Sequence, residues 1–268
     1  MKICRKSAKR HENYKGSCIT LNSLKFLLFI PFILLTLPAC TTTGMHKNAY
    51  RKTIDFGREE TLKVCFLREK DITDKNIEKI LKKWNKELNL YNIKVENVSA
   101  ETVERPGFFN SDILQSLFII KLEPPCDRIV YLRGRRFSDM AYELFSIALM
   151  LELGLKFETY GAVETITNTR GFIRARYAQL FQSIFTSPKS TMVHEGYHLL
   201  GCGHSITKTK CYLHIKKLKE RMASAVREED FFPVLTQNGK LLSSRDEVNG
   251  RILGYIKKQN GKMSSDKK

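Results

Sequence analysis

Apolar residues along this 268-residue chain recur with two periods, every second position and every third or fourth. Positions 61–67 alternate Val64 and Phe66 against Lys63 and Cys65, the period of a half-buried strand, and 93–98 and 128–132 also read as strands. Between the first two, 71–90 carries Ile77, Ile80, Leu81, Trp84 and Leu88 at helical spacing, with Asp74 placed as the cap. The stretch 113–122, after a turn at Pro106-Gly107, is apolar enough for a strand or a buried helix, and the local pattern leaves both open. Residues 138–153 predict an apolar helix free of proline and glycine. Paired strands follow at 161–166 and 172–177, joined by a polar turn over 167–171. Another helix starts after Pro188, capped by Ser190 or Thr191, and 245–258 predicts a closing helix. This order predicts an α/β (α+β) domain over 58–259, an α/β half resting on a smaller, mostly irregular C-terminal half. No internal repeat is present.

The N-terminus departs from this pattern. Residues 1–25 carry seven Lys/Arg against one acidic residue, and 26–37 is apolar except for Pro31 and Thr36. That run is too short for a spanning helix of about 20 residues and matches the apolar core of an export signal. It ends in Leu37-Pro38-Ala39-Cys40, which resembles the lipobox of bacterial lipoproteins. The resemblance implies a signal peptide over 1–40, acylation of Cys40 by fatty chains such as palmitate, and an envelope membrane location facing the periplasm or cell exterior. Residues 41–57 are polar and predict a tether, while the charged stretch 260–268 predicts a disordered tail.

Export changes the charge and the cysteine count. The whole chain has 46 Lys/Arg against 28 Asp/Glu, a net +18; without 1–40 the balance is 39 − 27, or +12. Such a surface favours lipid headgroups, acidic polymers or acidic substrates. Nucleic acid is not an expected partner, because the chain shows no nucleic-acid-binding motif and export removes it from that company. Of seven cysteines, Cys4 and Cys18 go with the signal and Cys40 with the lipid. Cys65, Cys126, Cys202 and Cys211 remain, an even number suited to an oxidising compartment. Four cysteines allow three pairings; proximity in sequence favours Cys202 with Cys211, which leaves Cys65 with Cys126.

The strongest chemical signal is 194–204, which reads His-Glu-x-x-His-x-x-Gly-x-x-His without a mismatch. His194 and His198 stand four apart, so on a helix they project from one face and can share a metal ion. Gly201 permits the left-handed turn that ends such a helix, after which His204 can return as a third ligand. Three ligands leave an open coordination position, the mark of a catalytic rather than a structural zinc site. Glu195 stands beside that position as a general base. Tyr197, between the ligands, reads as core packing.

This motif resembles the signature of the metzincin clan of zinc metalloendopeptidases. The resemblance covers eleven residues, 194–204, and implies one zinc per chain held by His194, His198 and His204, with Glu195 as base. It also implies a zincin-like fold with a twisted, mixed sheet over the active-site helix, an antiparallel edge strand along the cleft (here 161–166), and a methionine-containing turn beneath the metal, for which Met222 is the candidate. Ser224 stands where astacin-like members place a zinc-facing tyrosine, and no Cys-x-x-Cys is present for the second site of archaemetzincins. The expected activity is peptide-bond hydrolysis on protein or peptide substrates, by a chain held to a membrane through lipid; the oligomeric state is left open. Two other readings share the motif: a zinc-containing envelope lipoprotein that binds without cutting, and a zinc amidase acting on cell-wall material. Intact Glu195 favours catalysis, because metal binding alone makes no demand on that position.

Overall fold

The computed structural model describes residues 44–142, 160–176, 187–236 and 238–265. Residues 42–268 form one unit; Cys40 and most of the predicted helix 138–153 lie outside the described residues. Strands β1 (Glu60–Arg68), β2 (Ile93–Thr102), β3 (Arg128–Arg133), β4 (Gly161–Val163) and β5 (Arg170–Arg174) make a five-stranded sheet in the order β2-β1-β3-β5-β4. The first three pairings are parallel, and β4 runs antiparallel to β5 at the edge. Period-2 alternation explains why the sheet is covered on both sides. Val64, Phe66, Val130, Leu132 and Ile173 enter one core cluster, while Ile129, Tyr131 and Phe172 enter a second.

The first core is closed by helices α2 (Asp74–Leu88), α4 (Pro188–Leu199) and α5 (Thr209–Ser224). Helix α2 buries Ile77, Ile80, Trp84 and Leu88, the stripe its spacing predicts. It starts one residue earlier than Asp74 could cap: Thr73 is the N-cap, and its N–H bonds the Asn76 side chain at 3.0 Å. Trp84 lies on Gly196 of α4 so closely that a methyl group there would stand 2.2 Å from the indole nitrogen. The second core takes α3 (Asn110–Ile119), the hairpin of β6 (Val234–Leu235) and β7 (Leu241–Leu242), and α6 (Arg245–Ser265) through Val248. The undecided stretch 113–122 is therefore mostly helix, with Ile113 and Leu117 one turn apart facing inward. Disulfides join Cys65 to Cys126 and Cys202 to Cys211.

Three further expectations are corrected. Helix α4 is capped by Ser187, whose hydroxyl accepts from the Ser190 N–H at 3.2 Å, and not by Ser190 or Thr191. Pro188 sits inside the helix at its first position, where a missing N–H costs nothing. Of the tether expected at 41–57, the described residues 44–57 touch the domain at several points: Gly44 is buried, α1 (Asn48–Lys52) packs near α5, and Phe56 is buried in the first core. The disordered tail expected at 260–268 is helical as far as Ser265, as the end of α6. Among the described residues, no helix is long and apolar enough to cross a membrane.

Candidate metal centre

Helix α4 turns Met192, Tyr197 and Leu199 into the core and leaves His194 and His198 half-buried on one face, a turn apart. Their Nε2 atoms are 3.2 Å apart. The helix then ends in a Schellman arrangement: Gly201, at φ 86°, donates its N–H to the His198 carbonyl, and Cys202 donates to the Tyr197 carbonyl at 2.9 Å. That reversal brings the His204 ring within 5.1 Å of His194 and 4.6 Å of His198, centroid to centroid. One nitrogen from each of the three lies within 4.8 Å of the others. His204 is the exposed member.

Several groups hold this geometry. His198 Nδ1 lies 2.6 Å from the Cys202 carbonyl, to which it donates, so Nε2 is left with its lone pair toward the cluster. Burial lowers the His198 pKa, with repulsion from His204 adding to it and the carbonyl contact opposing, which favours the neutral, ligating form. The disulfide between Cys202 and Cys211 closes the loop that carries His204. His214 of α5, its pKa lowered by burial, donates Nε2–H to the Leu200 carbonyl at 3.0 Å, beside the turn. Beneath the helix end, the fully buried Arg128 guanidinium donates to the carbonyls of Leu199 (3.0 Å), Phe232 and Pro233 (both 3.1 Å). Burial brings its pKa down to about 10, so it stays charged at neutral pH.

Glu195 is buried, and burial pushes its carboxyl up to about 8. Its side chain lies against β4: a Cβ on Gly161 would stand 2.7 Å from Glu195 Cγ. Only glycine leaves that room, so the edge strand reaches the glutamate without displacing it. The β4–β5 pairing places Gly161 and Val163 in positions whose backbone groups point away from β5, because Tyr160 and Glu164 bond to Arg174 and Arg170. Among the described residues no strand pairs with that outer edge. Glu164 folds the connecting turn by accepting the N–H groups of Ile166, Thr167 and Thr169 at 2.7–2.8 Å.

On the inner side of α4 lies a buried polar cluster. The Tyr91 and Tyr197 hydroxyls are 2.8 Å apart, and Tyr197 donates to Glu87. Burial alone would raise Glu87, but the Tyr197 hydrogen bond and the nearby Lys208 charge hold it below the usual carboxylate range. Lys208 Nζ sits 4.0 Å from the centre of the Tyr197 ring, and His46 bridges Glu87 (2.9 Å) and the Tyr212 hydroxyl (3.0 Å). Tyr197 therefore belongs to the core, as its pattern predicts. Met45 bonds Ile206 and Lys208 backbones at 2.9 and 3.0 Å, so the N-terminal segment is stitched to the loop following His204.

The structure thus brings together His194, His198 and His204, sets the Glu195 side chain against Gly161 of β4, and joins Cys202 to Cys211 in the loop that carries His204. Met222 stands elsewhere in kind: it lies in the last turn of helix α5, buried in the first core, and does not form a turn of its own. Arg128, His214, Gly161 and the Gly44–Lys47 segment carry no motif and escape sequence reading. His214 alone gives a hint, as it lies three residues after Cys211 on the same helical face.

The fold and site define a mixed α/β protein with a three-histidine cluster able to hold a metal ion. No protein-family model matches this chain, and no curated protein matches it. Among solved structures it is similar to an archaemetzincin from Methanopyrus kandleri, at 16% identity over 63% of this chain and 99% of the other, with a TM-score of 0.37. The functional reading therefore stands on the site's own chemistry.

Proposed function

We propose that this chain is a zinc-dependent metalloendopeptidase, exported and held to an envelope membrane through lipid on Cys40. The observation that carries the reading is the convergence of three imidazoles, two of them on the helix whose buried Glu195 lies against an open sheet edge. The donor set fits zinc. Two nitrogens sharing a tetrahedral ion at about 2.0–2.1 Å stand roughly 3.3 Å apart, and His194 and His198 offer 3.2 Å. His204, the exposed member, would hold such an ion from the solvent side, and three protein ligands would leave one position for water. When bound, zinc acidifies water and polarises a peptide carbonyl.

The protein's own groups do the rest. An extended peptide adds to the outer edge of β4, using the free backbone groups of Gly161 and Val163, so side chains need not match for it to bind. Glu195, next to that edge, takes a proton from the attacking water and returns it to the leaving amine. Its buried carboxyl is high without an ion; the positive charge of one nearby lowers it, which matches the base to neutral pH.

The test is a peptide library digested by the purified protein with and without chelator, read by mass spectrometry, with Glu195→Gln in parallel. The variant keeps the three imidazoles, so zinc content is expected to stay near one per chain. Cleavage of the best library peptide is expected to fall by roughly a thousandfold or more, about 4 kcal/mol at 1.36 kcal/mol per tenfold. Equal turnover by both proteins sinks Glu195 as the base, and no cleavage by either favours a zinc-containing binding lipoprotein.

A further inference from the structure

The N-terminal segment docks beside the metal site and not at a remote point. Gly44 packs so closely on the loop after His204 that a Cβ there would stand 2.6 Å from the Ser205 carbonyl oxygen. Met45 then pairs with Thr207 as an isolated bridge and donates to the Ile206 carbonyl at 2.9 Å. Both flanking apolar side chains face solvent, Met45 62% exposed and Ile206 82% exposed. Exposed Lys47 and Lys210 lie two and four residues along the chain from them. His204, also exposed, is two residues before Ile206.

Isolated exposed apolar residues are ordinary on a protein surface. What sets this pair apart is where the chain leaves the fold. Only Thr41, Thr42 and Thr43 separate Cys40 from Gly44. Four residue steps reach at most about 14 Å even fully extended. A lipid on Cys40 therefore holds Gly44 within that distance of the headgroup layer, and the Ser205–Lys208 backbone packed on Gly44 close to it. An apolar pair flanked by lysines is suited to that layer, where anionic headgroups attract cations and acyl chains accept Met and Ile.

We propose that the face formed by Met45 and Ile206 lies against the bilayer that holds the lipid anchor, so that the metal site opens at the membrane surface. The inference rests on the reading of Cys40 as lipid-bearing. It narrows the substrate class to extended segments of membrane-held proteins within a short distance of the headgroups. A protein held this way reaches freely diffusing substrates less readily than stalks and tails emerging from the same bilayer.

The experiment uses the full acylated chain in vesicles of phosphatidylethanolamine and phosphatidylglycerol. An environment-sensitive fluorophore is placed on Ile206→Cys and, as the control, on Ile119→Cys. Ile119 is 76% exposed on α3, across the sheet from α5. The four disulfide-bonded cysteines are not free to react. The expected result is a blue shift at position 206 on reconstitution, quenched by brominated acyl chains, with none at 119. Acylated, vesicle-bound protein in which both labels remain equally wet overturns the docked face while leaving the anchor intact. Absence of acyl mass on Cys40 overturns the anchor, and this inference with it.

Discussion

At the scale of single residues, the site depends on groups that never touch a ligand. Arg128 is the clearest. Its guanidinium satisfies carbonyls from the end of α4 and from the Phe232–Pro233 segment, which links the metal helix to the C-terminal half. Arg128→Met fills the space and removes every donor, leaving those carbonyls buried and unpaired. The expected loss is about 3 kcal/mol of unfolding free energy, read by chemical denaturation. A loss near zero would mean that water reaches those carbonyls. Such a residue is invisible in sequence because β3 reads Arg-Ile-Val-Tyr-Leu-Arg, and a strand flanked by arginines looks like a strand with solvated ends. The motif histidines were legible for the opposite reason: their spacing relative to one another is the chemistry, and no distant partner is needed to see it.

At the scale of elements, His204, the third histidine of the cluster, arrives on a loop between α4 and α5 that is closed by a short disulfide. The two disulfides allow a discriminating comparison. In the loop-closure picture the Cys65–Cys126 bridge, 61 residues apart, contributes about 4 kcal/mol, and Cys202–Cys211, nine apart, roughly 2–3 kcal/mol. Their effects on metal should run the other way. Replacing Cys202 and Cys211 by serine is expected to weaken zinc binding by about tenfold or more, because the His204 loop and the Cys202 carbonyl that orients His198 both loosen. Replacing Cys65 and Cys126 should leave zinc affinity unchanged while costing more stability. Competition with a chromogenic chelator and a melting curve on each variant decide it; equal affinities would remove the short disulfide from the site.

Legibility at this scale followed the range of the forces involved. Helix α2 and strand β1 were readable because each buries one face most completely, and burial writes a period into the sequence, whereas β3, buried on both faces, was readable as a short apolar run. Helix α3 was not, since it inserts only Ile113 and Leu117 fully and has apolar neighbours on other faces as well. The polar stretch 41–57 read as a tether because its anchoring contacts, Phe56 in the core, His46 on Glu87 and Met45 on the Ile206 backbone, are all made with residues far along the chain. The edge strand was placed by order in the chain, over 161–166 where the structure has Gly161–Val163, and its approach to Glu195 depends on Gly161, whose missing side chain no pattern flags.

Across the whole molecule, buried titratable groups set the pH response of the metal-free protein. His46, His198 and His214 all have pKa values lowered by burial. The unfolded chain therefore binds more protons than the folded one as pH drops past their ordinary value of 6.5, and stability falls with it. Glu195 acts in the opposite sense: raised to about 8 when folded, it holds a proton that the unfolded chain releases above 4.5, so its contribution is lost as pH rises. In chelator-treated Glu195→Gln protein that opposing group is gone. Its denaturation midpoint is expected to fall steadily from about pH 7 to about pH 5, and His214→Gln in the same background should flatten the slope. A midpoint level across that window would contradict the burial of these imidazoles.

The unequal exposure of the triad also gives metal exchange a direction. His194 and His198 are half-buried on a helix clamped between α2 and the sheet, whereas His204 faces solvent on a loop. An ion held by this cluster would enter and leave past His204. Its residence time would then follow the breathing of residues 201–208, a local opening that costs far less than melting the sheet. The short loop that Met45 stitches down would be the latch on such an ion, so how long it stayed would be decided at the edge of the molecule and not in its core.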